Sequence, residues 1–242
     1  MAPQILQNCK LWVGEFELSG SLNRMALSIA QELVENTVFG MVGKSRLPGQ
    51  LRPSMQHAGF WNPGTDLPDE ILSAKLALPD IPVTISPLAG AEGDVAYSFQ
   101  AILAKYAPGG EVAGMARFDV TAEGSSDRVF RGLILTNAAR TVTGNGTAFQ
   151  LGAVSAIQKL YGALHILTVS GGTPSLTVKI QSAPTSGFAA PTDRISFTAA
   201  TVRGFQWATP LPGSITDTWW RATWTISGSS PSMLFVVSAG IS

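Results

Sequence analysis

The chain has 242 residues, 45% hydrophobic and only 13% charged, and its 16 basic and 16 acidic side chains cancel to a formal net charge of zero. The apolar content suffices for a core in one large all-β domain or two ordinary ones. The charge content is about half the usual share, which fits a soluble protein covered by copies of itself, and the missing basic excess argues against sequence-specific nucleic-acid binding.

The first segment, Met1 to Lys10, lacks the basic and apolar runs of a signal peptide. No stretch approaches the roughly 20 apolar residues that span a bilayer. A soluble, unprocessed chain made in the cytoplasm, with no membrane insertion, is expected. Cys9 is the single cysteine. It has no internal disulfide partner and no metal-ligand spacing, and reads as a small buried hydrophobe.

Period-two alternation dominates the rest of the chain. Strands are predicted at 11–18 and 24–34. Residues 40–65 read as a long loop punctuated by Gly40, Gly43, Pro48, Gly49, Pro53, Gly59, Pro63 and Gly64. Loops of this length inside a domain are usually functional or disordered. This one carries Met41, Leu47, Leu51, Met55, Phe60 and Trp61, more apolar side chains than a solvated loop spends, so it is expected to dock on its own domain or a neighbouring subunit. A helix starts at Pro68, with Asp69 and Glu70 at its positive end and Ile71, Leu72, Lys75 and Leu76 as a partial apolar face, and stops before Pro79.

Strands are predicted next at 81–86 and 94–105. Phe118, Val120 and Ala122 alternate with Arg117, Asp119, Thr121 and Glu123, and another strand is predicted at 128–136. The segment Thr141 to Thr147, Thr-Val-Thr-Gly-Asn-Gly-Thr, reads as a hairpin turn or a linker. Nearly all acids precede it; from Arg140 onward only Asp193 and Asp217 are acidic. That asymmetry places a module boundary there, between 1–140 and 147–242. A second helix is a candidate at 151–160. Strands are predicted at 160–169, at Leu176, Val178 and Ile180, at 194–199, at Trp220, Ala222, Trp224 and Ile226, and at 232–241. Turns at Pro108-Gly109-Gly110, Gly124-Ser125-Ser126, Gly171-Gly172 and Gly228-Ser229-Ser230 separate them. The fold class is all-β with one or two short helices: sandwich or barrel domains, two β modules in tandem.

Catalytic chemistry is sparse. His57 and His165 are the two histidines, and no Gly-x-Ser-x-Gly elbow accompanies them; both read as packed or surface imidazoles. Glu15 and Glu17 would share one strand face, as paired carboxylates do in glycosidases, but an exposed acidic face is commoner. Gly144-x-Gly146 lacks the context of a dinucleotide site. Trp207, Trp219, Trp220 and Trp224 could stack on sugars, but alternating Trp220 and Trp224 read more readily as core. No enzyme and no cofactor is expected.

Residues 35–64 read Glu-Asn-Thr-Val-Phe-Gly-Met-Val-Gly-Lys-Ser-Arg, then Leu-Pro-Gly-Gln-Leu-Arg-Pro-Ser, then Gly-Phe-Trp-Asn-Pro-Gly. Residues 111–137 add Glu-Val-Ala-Gly-Met-Ala-Arg-Phe-Asp-Val-Thr-Ala-Glu-Gly and Arg-Val-Phe-Arg-Gly-Leu-Ile-Leu. Together they resemble the major tail tube proteins of long-tailed siphophages, with the C-terminal half similar to the β-rich region of tail proteins of this size. The resemblance implies subunits closing into rings around a lumen, with rings stacked into a virion tail tube through the 40–65 loop. Phe39, Arg46, Leu47, Leu51, Met55, Phe60 and Trp61 would be its intersubunit contacts. It implies a tape-measure protein and a tail terminator as partners, and DNA passing without specific contact during ejection. A neutral or acidic lining would let phosphates slide past, and Glu15, Glu17, Glu32 and Glu35 are the expected lumen-facing acids.

Two architectures stay open: a hexamer with 147–242 as an outer domain, or a trimeric pseudo-hexamer in which both halves are tube-type, favoured by the strand content and low charge of the second half. The rival reading is a β-sandwich carbohydrate-binding or adhesion module that exposes its tryptophans. A hydrolase lacks a constellation, and a membrane barrel is disfavoured by irregular strand lengths.

Overall fold

The structure is a computed structural model describing residues 7–40, 42–126 and 128–242. Residues 1–6, in the segment expected to carry no signal peptide, and Met41 lie outside the described residues. The strands are β1 (Lys10–Val13), β2 (Phe16–Glu17), β3 (Leu22–Glu35), β4 (Arg46–Phe60), β5 (Ile81–Ser86), β6 (Val95–Gly109), β7 (Arg117–Gly124), β8 (Phe130–Arg140), β9 (Gly144–Asn145), β10 (Phe149–Gln150), β11 (Lys159–Ala183), β12 (Thr192–Ser196), β13 (Gly204–Trp207), β14 (Leu211–Pro212) and β15 (Trp219–Ile241). The helix α1 (Pro68–Ala74) starts at the predicted proline. The fold is all-β and its sheet pairings are antiparallel.

The chain forms two compact units. The first takes residues up to Gly20, Ile81–Ser98 and Phe130–Ser242; the second takes Ser21–Asp80 and Phe99–Val129. The units are therefore interleaved in sequence and do not divide at 141–147. That segment is instead a strip of the first unit's sheet: Asn145 pairs with Thr223 and Gly144 with Trp224, and Gly146 N–H donates to Ala222 O at 2.8 Å. Its flanks are fixed by Glu92, which accepts from Arg140 at 2.6 Å and from Thr147 at 3.1 Å.

In the first unit the strand order is β12-β11-β15-β8-β6-β5-β1-β2, β6 contributing its residues up to Ser98. β11 and β15 form one long ribbon. Leu160 to Ser170 pair with Ile241 to Ser232, and Ser175 to Ala183 pair with Ser227 to Trp219. Between these halves Gly171, Thr173, Gly228 and Ser230 take positive φ, a left-handed backbone that bends the ribbon sharply. The halves then stack face to face: a Cβ placed on Gly162 would lie 2.7 Å from Ile180 Cδ1 and 3.3 Å from Ile195 Cδ1.

The alternation read from sequence supplies the core between them. Leu164, Ile166, Leu176, Val178 and Ile180 of β11 meet Trp220, Ala222, Trp224, Phe235 and Val237 of β15. Each of the larger aliphatic side chains, and Phe235, contributes roughly 1.5–3 kcal/mol on burial. The expected helix at 151–160 does not form. Gly152 takes a φ of 96°, and Val154 N–H and C=O are both claimed by Ile215, at 2.9 and 2.8 Å, which fixes the segment as extended chain.

Another cluster of this unit joins Trp12, Ala96, Ile134, Leu167 and Val236. A chain of buried polar groups runs from Gly14 O through His165, Thr84 and Ser98 to Ser238, with steps of 2.6, 2.7, 2.9 and 2.8 Å. The predicted 11–18 strand is split here by a turn, Gly14 having a φ of 58°. Glu15 therefore sits in the turn and not on a strand face shared with Glu17.

The second unit is a sheet of order β3-β4-β7-β6. On one face Met55, His57, Phe118, Val120, Ala122 and Leu103 are buried. The helix buries Pro68, Ile71 and Leu72, and Tyr106 Oη donates to Asp69 Oδ1 at 2.5 Å, tying it to β6. The predicted loop 40–65 is a correction: most of it is β4, paired with β3 from Glu35–Arg46 to Leu22–Gly59. Its prolines and glycines made it read as loop. Pro48 and Pro53 are tolerated because β7 joins β4 only from Ser54 onward, and a strand with one neighbour leaves N–H positions free for proline.

Candidate assembly interface

Beyond Ser54 the β3–β4 hairpin loses its third strand and continues as a two-stranded arm ending in a tip at 36–45. Of its described residues, 29–40 and 42–53, Pro53 is buried, Ser45, Gly49 and Leu51 are half-buried and the rest are exposed. Val34 lies opposite Leu47, and Leu33 opposite Pro48. Consecutive pairs face opposite ways, so apolar side chains lie on both faces. Ile29, Leu33, Val34 and Leu47 are about half exposed, while Phe39 and Val42 at the tip are fully exposed. An isolated hairpin is at best marginally stable in water, and exposed apolar area on this scale marks a contact surface. Among the described residues β3 pairs with β4 alone, so the outer edge of a 14-residue strand offers unpaired backbone groups, a template for another strand.

The interface residues expected from sequence divide. Phe39, Arg46 and Leu47 are exposed on the arm and Leu51 is half-buried there. Phe60 is exposed at the other end of β4, with the Arg117 guanidinium 5.9 Å from its ring centre. Trp61 is half-buried and its N–H donates to Ala116 O at 3.0 Å. Met55 is the exception: it is fully buried and belongs to the core, because its parity on β4 points it with His57. Sequence reasoning missed Ile29, Leu33 and Val34. They continue a strand that was predicted, and the signal was that Ile29, Leu33 and Val34 no longer alternate with polar residues in one register.

The four expected lumen acids are divided between the two units. Glu15 and Glu17 belong to the first unit, Glu32 and Glu35 to the second. Glu17 is paired with Lys10, Glu32 with Arg52 at 3.0 Å, and Glu35 with Lys44 at 3.4 Å. Over Leu22–Phe60, Arg24, Lys44, Arg46 and Arg52 outnumber Glu32 and Glu35. The polar face of the second unit's sheet carries both signs: a depression of about 160 Å³ is lined by Arg24 and Lys105 together with Gln56, Asp119 and Thr121.

Neither histidine lies in a reactive setting. His57 is buried with its ring edge-on to Phe118, and desolvation lowers its pKa to about 4. His165 is fully buried and desolvation likewise lowers it to about 4, against the opposing pull of Gly14 O and Glu15. Tyr106 is raised by burial and by Asp69. Among the described residues no group of three His, Cys, Asp or Glu side chains is placed to hold a metal, and no helix is long and apolar enough to cross a membrane. Trp220 and Trp224 are buried, and Trp207 packs with Phe130 and Tyr161, so the sugar-stacking platform is not assembled.

No family model matches the chain, and no curated protein matches it. Among solved structures it is similar to a chain of the virion of a native gene transfer agent particle, with 13% identity and a TM-score of 0.41 over 52% of this chain and 97% of that one. It is similar to a chain of the PVC sheath–tube complex of an extracellular contractile injection system, with 18% identity and a TM-score of 0.43 over 54% and 92%. The phage SPP1 Dit protein, described as a hub adsorption apparatus component, aligns over 98% of this chain and 100% of its own, with 11% identity and a TM-score of 0.40.

Proposed function

We propose that this chain is a structural protein of a phage tail, a subunit that closes into rings and stacks into the tube through which the genome leaves. The observation that carries this reading is the arm: two long strands whose outer halves have apolar side chains on both faces and an open edge along β3. A monomer gains nothing from such a ribbon, whereas a ring covers it, because strand edges paired between neighbours satisfy the backbone and remove the aggregation hazard. The sequence of the same hairpin is also where the resemblance to siphophage tail tube proteins lies.

The two units differ in build. The second has an open sheet, a helix and the arm; the first is a ribbon folded on itself. One arm per chain favours six chains per ring over three. The mixed-charge polar face bearing Arg24, Lys105 and Asp119 is the surface we assign to the lumen. A tape-measure protein inside the tube and a terminator at its end are the partners of this reading, and the virion is its location.

Negative-stain microscopy of the purified protein, with mass determination on the same sample, tests the proposal. Hollow tubes or closed rings are expected, and the mass gives the number of chains. A monodisperse monomer at high concentration, with and without the other tail proteins, would overturn it.

A further inference from the structure

The second unit carries a second apolar projection, at the end opposite the arm. β4 runs from the tip side, where Arg46 opposes Glu35, to Phe60, which opposes Arg117. Arg117 in turn opposes Gly109, so the β6–β7 turn at 110–116 lies beyond the far end of β4. From Arg46 to Phe60 the strand extends about 45 Å at roughly 3.3 Å per residue. Val112 is fully exposed on that turn and Met115 largely so. Ala113 holds a φ of 65° and Gly114 N–H donates to Glu111 O at 2.9 Å, which keeps the turn compact and its apolar side chains outside.

The two projections differ in charge. The tip brings Lys44 and Arg46 against the single acid Glu35, which pairs with Lys44 at 3.4 Å, and so keeps a net positive charge; the turn brings Glu111 as the one charge of 110–116. Translating one copy of the unit along its own β4 axis places an apolar, positive tip against an apolar, negative turn. A tip meeting a tip would oppose like charges.

We propose that Phe39 and Val42 of one copy dock on Val112 and Met115 of the next copy along the axis, with Lys44 and Arg46 facing Glu111. The inference rests on the tube reading and specifies its axial contact. The contact joins unlike surfaces, so it does not close on itself and continues without limit. Each contact is far smaller than the roughly 1,000 Å² of a stable interface, so it holds only when a ring presents several together.

The test uses the full chain with Cys9→Ser, to which Phe39→Cys and Val112→Cys are added singly and together, assembled, checked by microscopy and treated with a short bis-maleimide. A ladder of linked chains in the double variant and monomers in both single variants is the expected result. Tubes that form without a ladder overturn the axial contact and leave the tube reading standing. Dimers from Phe39→Cys alone overturn it in favour of a tip-to-tip contact. Failure of the Cys9→Ser parent and the unmodified chain to form tubes removes the tube reading and this contact with it. As an independent check, Glu111→Lys is expected to abolish stacking while rings persist, and Glu111→Lys combined with Lys44→Glu and Arg46→Glu is expected to restore it.

Discussion

His165 Nε2 lies 2.7 Å from Thr84 Oγ1, 81 positions away in sequence. The other ring nitrogen faces the carbonyl oxygen of Gly14 at 2.6 Å, which can only accept. Nδ1 therefore carries the proton, Nε2 accepts from the Thr84 hydroxyl, and Ser98 and Ser238 complete a directed chain. Replacing His165 by Phe keeps the ring volume and strands both partners. A loss of about 3 kcal/mol is expected, because a buried orphaned group costs more than a hydrogen bond contributes. Adding Thr84→Val recovers part of that loss. Urea midpoints of the three proteins measure it.

The same residue sets a pH dependence. His57 and His165 titrate near 6.5 when unfolded and near 4 when folded. Between these values the unfolded chain binds more protons, so stability is complete above about pH 6.5, falls as pH drops to about 4, and is level below that with respect to these groups. Each histidine contributes about 3 kcal/mol to the difference. Denaturation midpoints between pH 7.5 and 4 should shift by a smaller amount when His57 is replaced by Phe; an unchanged slope would show that His57 is not buried uncharged.

Phe39 and Met55 separate assembly from folding. Phe39→Asp is expected to leave the melting temperature unchanged, within about 0.5 kcal/mol, and to stop tube growth. Met55→Ala opens a cavity in the core beneath β4, where Met55 is fully buried, and is expected to cost about 3 kcal/mol, with rings still forming at low temperature. Calorimetry and microscopy on both variants give the two readouts.

Glycine at 132 is fixed by backbone approach. A Cβ there would meet Ala239 O at 1.9 Å, and Gly240 Cα at 2.7 Å, inside the β8–β15 pairing where Gly132 opposes Gly240. Gly132→Ala is expected to destabilise by about 3 kcal/mol. Gly20→Ala, where nothing lies within 4 Å, is the control and should change little.

The sequence was legible where one face of an element meets a core. Leu176, Val178 and Ile180 alternate because β11 packs on one side, and Pro68, Asp69 and Glu70 announce α1 by helix chemistry alone. The arm was illegible for the converse reason. With no core beneath it, the 46–52 half of β4 shows no period, and Pro48, Gly49 and Pro53 look like loop punctuation. The boundary at 141–147 followed a real change in charge, but charge patterns surfaces, and interleaved units are joined by pairings that composition does not record. Met55 was grouped with the interface because it lay within the supposed loop; once β4 is a strand, parity alone sends it inward.

The folded ribbon has a consequence for the order of events at synthesis. β15 is a central strand of the first unit, flanked by β11 and β8, and Gly14, in the turn after β1, reaches its His165 contact across 151 positions. Closure of that unit therefore waits on distant partners, and distant pairing is slow. The second unit needs nothing beyond Val129, so its arm is finished while the rest of the same chain is still being made. The sticky surface precedes the body that carries it, and nascent chains with bare arms face one another before any ring is ready to receive them.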